Sequence, residues 1–194
     1  MKSFSKPWFL LKTSFSLLAI PLWGAMLSGC GQRYVEAIVP GDSRPALEFI
    51  NVETGEQGQL ADFEDEIVVL KFWATWCTTC VATMESFQEY PETLADSDDR
   101  VRWATVSVDE ELSQVKKLLN RKSWVQTEHL WVDSKGDSAD VIAGFVAGGV
   151  PQVAILRKGG VIESHGEASK IDVPFIVSQL LEADPSGIPT EARL

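Results

Sequence analysis

Histidine is almost missing from this chain, cysteine is scarce, and base is outnumbered by acid. Each shortage removes a class of function. His129 and His165 are the only histidines in 194 residues, beside three cysteines. A closed zinc site takes about four ligands at recognisable spacings. No such set can be read here, so neither a metal nor another cofactor is expected. Seventeen Lys and Arg stand against 28 Asp and Glu, a formal charge of −11. A chain of that sign is repelled by phosphate backbones and anionic headgroups, which argues against nucleic acid as a partner. A long apolar span is lacking too. The uncharged stretch from Thr13 to Gly29 has 17 residues and contains Thr13, Ser14, Ser16, Pro21 and Gly24, whereas a bilayer span needs roughly 20 mainly apolar residues. Preceded by Lys2, Lys6 and Lys12, it reads as a signal peptide over residues 1–29. No internal repeat and no second domain are visible.

The end of that stretch, Leu27-Ser28-Gly29-Cys30, resembles the lipobox of bacterial lipoprotein precursors. The resemblance implies that Cys30 is lipidated and becomes the first residue, which also accounts for an odd cysteine in an exported protein. More than one acyl chain is needed for stable anchoring, and a lipoprotein cysteine is expected to carry them. Gly31 in place of Asp favours the outer membrane in the best-known sorting scheme; that scheme is not universal, and the choice of membrane stays open. Loss of residues 1–29 removes three Lys and no acid, leaving 14 bases against 28 acids and a formal charge of −14.

What is present is concentrated in Phe72-Trp73-Ala74-Thr75-Trp76-Cys77-Thr78-Thr79-Cys80. An apolar run, Ile67 to Phe72, leads straight into the two cysteines. If a strand ends near Trp76 and a helix begins at about Cys77, the first sulfur sits at a helix N-terminus. Free N–H groups and the helix dipole there favour a thiolate. Cys80 then lies on the same helical face. Such a pair opens and closes as a disulfide: Cys77 attacks a substrate disulfide and Cys80 resolves the mixed disulfide. Trp76 either offers a flat apolar surface to a partner chain or packs in the core.

Strands and helices alternate around this segment. Residues 30–45, with Pro40, Gly41 and Pro45, read as a lipidated cysteine and tether. Leu47 to Val52 and Gln57 to Leu60 flank Glu53-Thr54-Gly55-Glu56 as a hairpin. Ile67 to Trp73, interrupted only by Lys71, has the pattern of a central strand buried on both faces. Val81, Met84, Phe87 and Leu94 recur at helical spacing, with a kink or break expected near Tyr90 and Pro91. A second strand, Val101 to Val108, precedes Asp109-Glu110-Glu111, whose acids are expected to open a helix reaching Lys122. Leu130 to Val132 reads as a short strand and Ser138 to Phe145 as a short helix. Gln152 to Leu156 and Val161 to His165 form a second hairpin, and Asp172 to Ala183 a last helix. The domain is therefore 46–183, with 184–194 a flexible tail.

These residues carry a family resemblance. Phe72 to Cys80 resembles the active-site run of the thioredoxin superfamily, and most resembles its TlpA-like branch of envelope oxidoreductases, the ResA type included. The likeness covers most of residues 41–183. It is supported by the hairpin before the motif, by Val106-Ser107-Val108-Asp109 and by Gly149-Val150-Pro151. The 71 residues from Cys80 to Pro151 leave room for that branch's extra strand and helix. The resemblance implies an α/β thioredoxin-like fold, with a central mixed β-sheet flanked by helices and an N-terminal hairpin extension. It implies that Cys77 and Cys80 are catalytic, that Pro151 is cis and faces them, and that Trp76, Val150 and Pro151 meet a bound peptide. Implied partners are protein thiol/disulfide substrates and a membrane thiol electron donor, because the oxidising envelope otherwise holds the pair as a disulfide.

Some positions depart from the pattern. Thr78-Thr79 stands where Pro-Pro is common in the branch and Gly-Pro in thioredoxin. Lys71 occupies the place, six residues before the first cysteine, of thioredoxin's buried acid, and the ResA-type acid between the cysteines is absent. Cys80 thus has no obvious base; Glu85 is one candidate, and otherwise an exposed helix residue. Related folds run from about −270 to about −120 mV, so redox direction is unassigned by these residues, and the resemblance tilts it toward reduction. Two other readings stay open. Envelope copper-handling proteins share this fold, usually with Cys-x-x-x-Cys and a facing His. A redox-inactive scaffold would keep the Cys77–Cys80 bond as a structural staple.

Overall fold

Seven consecutive buried residues, Ile67–Trp73, form the strand around which the fold is built. Their alternation divides the interior. Val68, Leu70 and Phe72 enter one core, while Ile67, Val69 and Trp73 enter the other. A strand covered on both faces tolerates a continuous apolar run, which is why the period-two signal is absent there. The computed structural model describes residues 36–94 and 100–183. The expected signal peptide, Cys30 and the tail 184–194 lie outside the described residues.

The strands are β1 (Glu48–Asn51), β2 (Gln57–Gln59), β3 (Ile67–Trp73), β4 (Val101–Ser107), β5 (Glu128–Trp131), β6 (Gln152–Leu156) and β7 (Ile162–Glu167). They form one mixed sheet in the order β2-β1-β5-β4-β3-β6-β7. β3, β4 and β5 run parallel, and the flanking pairs are antiparallel. The helices are α1 (Thr78–Ala82), α2 (Met84–Thr93), α3 (Leu112–Leu119), α4 (Ala139–Phe145) and α5 (Val173–Ala183). Ile142 and Phe145 of α4 cover the first core. The second core takes Cys80, Met84 and Phe87 from α1 and α2, Val115 from α3, and Val173 and Val177 from α5. This is the thioredoxin-like α/β fold, with the β1–β2 hairpin extending the sheet beside β5.

Three expectations need correction. The break in the helix after the cysteines falls at Thr83 (φ −93°, ψ 0°) rather than at Tyr90 and Pro91, and Pro91 lies within α2. Thr83 turns its hydroxyl back to the Thr79 carbonyl at 2.9 Å, which closes α1 after five residues. Pro91 has no N–H to give the carbonyl four residues earlier, a loss of one helical bond that α2 absorbs before ending two residues later at Thr93. The acids at 109–111 do not open α3 in their expected way: Asp109 turns inward, and Glu111 at the helix cap makes no side-chain cap bond. Pro40, Gly41 and Pro45 are expected in a tether, yet this end of it is held by the domain. From Ile38 the chain is laid on the domain, with Gly41 N–H donating to the Ile162 carbonyl and Ile162 N–H to the Asp42 carbonyl. At Gly144 a Cβ would stand 2.7 Å from the Glu36 carbonyl oxygen.

Candidate active site

Cys77 caps α1 in an extended conformation (φ −85°, ψ 100°), and its Sγ accepts the Cys80 N–H at 3.1 Å. The two cysteines are joined as a disulfide. Their exposures differ. Cys77 is half-buried, whereas Cys80 is wholly enclosed at 0% exposure. Because α1 has only five residues, the donor that matters to Cys77 is the Cys80 amide itself and not a long helix dipole; a hydrogen bond to sulfur favours its charged form.

Two sequence-distant pieces frame the half-buried sulfur. Trp76 stands 69% exposed beside it. Opposite, the Val150 carbonyl oxygen lies 3.7 Å from Cys77 Sγ, and the Val150–Pro151 peptide bond is cis. The structure thus brings Trp76, Cys77, Val150 and Pro151 to one rim, with Cys80 beneath. Glu85 does not join them; it is exposed and pairs with Lys122 at 3.4 Å.

Asp109 is the supporting residue that sequence reasoning misplaced. Buried at 0% exposure, its carboxyl accepts the Thr75 N–H at 2.9 Å, the Thr75 hydroxyl at 2.6 Å and the Ser107 hydroxyl at 2.8 Å. The register explains the encounter. Trp73 pairs with Ser107 across β3 and β4, so two residues further along each chain Thr75 meets Asp109. An acid just past the end of a strand parallel to the motif strand was the available signal.

Lys71 is the second such residue. It is 2% exposed, on β3 beneath α1 and α2. Its Nζ donates to the Thr83 carbonyl at 2.7 Å and the Thr83 hydroxyl at 3.1 Å, and lies 5.2 Å from the Phe87 ring centre. Burial lowers its pKa from the ordinary 10.5 to about 8. A folded-state pKa below the unfolded one means that the unfolded chain binds the extra proton between these values. The penalty is therefore fully present below about pH 8 and fades as pH rises to 10.5. Lys71→Met, which keeps the stem and removes the charge, is expected to make the oxidised protein more stable at pH 7 by about 3 kcal/mol. Denaturant unfolding across the alkaline range should show that advantage disappearing; a difference constant in pH would mean that packing alone had changed.

Neither histidine faces the cysteines. His129 is 2% exposed; its Nε2–H donates to the Trp124 carbonyl at 2.7 Å, leaving Nδ1 to accept from the Thr105 hydroxyl. Burial lowers its pKa, the Trp124 bond opposing. The ring nitrogens of His165 each lie 2.8 Å from a carbonyl, of Ile38 and of Phe145. Among the described residues, no group of three or more His, Cys, Asp or Glu is placed to hold a metal ion.

The family model described as AhpC/TSA matches residues 40–165, spanning the whole rim and its supports. The chain belongs to the AhpC/TSA family. Among curated proteins, thioredoxin-like protein YneN of Bacillus subtilis (strain 168) is 29% identical over 110 residues, covering 57% of this chain and 61% of that protein. The chain thus matches less than two thirds of that relative's length. Solved structures agree on the fold. The thioredoxin domain of a thiol-disulfide oxidoreductase from Bacteroides vulgatus superposes with a TM-score of 0.61 at 18% identity, over 76% of this chain and 99% of that one. The exposed lipoprotein thioredoxin of Streptococcus pneumoniae strain TIGR4 gives 0.55 at 22% identity, over 71% and 99%. A thioredoxin-family thiol:disulfide interchange protein from Chlorobium tepidum gives 0.56 at 20% identity, over 75% and 99%.

Proposed function

We propose that this protein is a thiol-disulfide oxidoreductase that exchanges disulfides with protein substrates through Cys77 and Cys80, in the reductive direction. The observation that carries it is the inequality of the two sulfurs: one on a rim between Trp76 and the Val150–Pro151 loop, the other enclosed below. In the reduced protein the Cys77 thiolate attacks a substrate disulfide, forming one S–S bond and releasing the substrate's other sulfur as thiolate. Cys80 then loses its proton and attacks Cys77, releasing the second substrate sulfur. Two electrons have passed to the substrate, and the protein disulfide has formed. The Val150 backbone pairs with the substrate strand and Trp76 covers one side of it.

The oxidised pair needs a thiol donor to return, and in an oxidising compartment that donor is a membrane thiol carrier. The envelope location, with lipid on Cys30 and the domain outside the cytoplasmic membrane, is supported by the Leu27-Ser28-Gly29-Cys30 run. One structural neighbour is itself an exposed lipoprotein thioredoxin. No helix among the described residues is long and apolar enough to cross a membrane. The hairpin before the motif, Val106-Ser107-Val108-Asp109 and Gly149-Val150-Pro151 favour the TlpA/ResA-like branch.

Trapping in cells tests the activity. Cys80→Ala is expected to accumulate mixed disulfides on Cys77, seen as reducible bands on non-reducing gels and absent from the Cys77→Ser, Cys80→Ala double variant. No trapped species under either reducing or oxidising growth would favour the scaffold.

A further inference from the structure

Strand β3 places a positive charge in the same layer as the enclosed sulfur. Lys71 alternates with Val69 and Trp73, and these two pack with Cys80, Met84 and Phe87 between the sheet and the paired helices α1 and α2. Thr83 connects the two residues. Its hydroxyl accepts from Lys71 Nζ at 3.1 Å and donates back into α1, lying 3.3 Å from the Cys80 carbonyl oxygen.

Nothing of opposite charge meets this ammonium among the described residues. In register its strand neighbours are Thr105 and Val153. On α2, Glu85, Glu89 and Glu92 are exposed and Tyr90 is half-buried. Arg102, on β4, is held by Glu66 and Glu128, and β6 carries no titratable group. Lys116 and Lys117 of α3, with Asp172 and Glu182 at α5, face solvent. Cys80 belongs to this layer and Cys77 packs against it, and the two are neutral as a disulfide.

We propose that the Lys71 ammonium stabilises the anionic reduced state of the Cys77–Cys80 pair and so favours dithiol over disulfide. The inference rests on the oxidoreductase reading. Reduction by two thiols breaks the S–S bond, passes two electrons to the protein and joins the two donor sulfurs as a disulfide. Of the two protons released, one remains on Cys80 and the other goes to solvent, leaving Cys77 as thiolate. That negative charge appears on Cys77, which packs against the layer holding Lys71, a cation with no counter-charge among the described residues, and attraction there is stronger than in water. Lys71 acts through charge and through Thr83, as a positioning residue that touches no reacting atom. The coupling is reciprocal: the factor by which Lys71 favours the thiolate is the factor by which the thiolate favours the ammonium.

The test equilibrates the full chain, wild type and Lys71→Met, with glutathione redox buffers and reads the dithiol fraction by thiol alkylation. Ultraviolet absorbance of the thiolate follows Cys77 against pH in both. Lys71→Met should shift the equilibrium about tenfold toward the disulfide and raise the Cys77 titration by a matching factor. A folded variant with wild-type equilibrium and wild-type thiolate titration overturns the inference. Should Lys71→Met fail to fold, side-chain NMR of Lys71 in the wild type decides: it must titrate at higher pH in the reduced protein than in the oxidised one, and equal titration overturns the inference. Wild type that never exchanges with glutathione overturns the oxidoreductase reading itself. Exchange by wild type with an unresponsive Lys71 overturns only the role of the lysine.

Discussion

Cys77→Ser is expected to abolish disulfide exchange, lowering the rate of the pre-reduced protein with a small aromatic disulfide by roughly three orders of magnitude or more. Cys80→Ser should retain the first attack and stop as a mixed disulfide. The asymmetry follows from access and from hydrogen bonding. Cys77 reaches the rim, and the Cys80 amide points at its sulfur from 3.1 Å, an arrangement that a thiolate uses and a serine hydroxyl, un-ionised at neutral pH, does not. Cys80 at 0% exposure cannot meet a protein disulfide without movement of α1. Stopped-flow absorbance with each reduced variant separates the roles; reactivity surviving in Cys77→Ser and lost in Cys80→Ser would reverse the assignment.

The second large effect belongs to Asp109. Asp109→Ala removes the acceptor shared by the Thr75 N–H, the Thr75 hydroxyl and the Ser107 hydroxyl. Leaving buried donors without partners costs more than the bonds themselves contribute, and the expected loss is about 3 kcal/mol in denaturant unfolding. Asp109→Asn, which keeps one acceptor oxygen, should lose about half of that. Because Thr75 is two residues from Cys77, the alanine variant should also lose hydrogen-exchange protection at the Thr75 amide and exchange disulfides more slowly. Unchanged stability and unchanged protection would show that the loop is held by something other than Asp109.

Much of the fold was legible because its signals are local. The run Ile67–Trp73 reads as a doubly covered strand from its own composition, and the turn residues at 53–56 and 157–160 mark hairpins at the observed places. The errors have a common cause. Pro91 looked like the break because proline is the strongest local breaker, yet Thr83 ends α1 through its own hydroxyl bond and with Lys71 reaching across from β3. Asp109 looked like a helix-opening acid because acids favour first turns, yet the parallel register delivers it to Thr75. Lys71 looked like an interruption in an apolar strand, and the sequence could not say what its amine meets.

By itself the sequence determined the alternating α/β class, the central strand and two cysteines one turn apart, because periodicity and spacing act within a few residues. The tertiary structure decided which sulfur is reachable, what supports it and what faces it. Val150 and Cys77 are 73 residues apart, Asp109 and Thr75 are 34, and Lys71 and Thr83 are 12. Contacts over such separations exist only once sheet register and helix packing are set, and the chemistry of the pair depends on them.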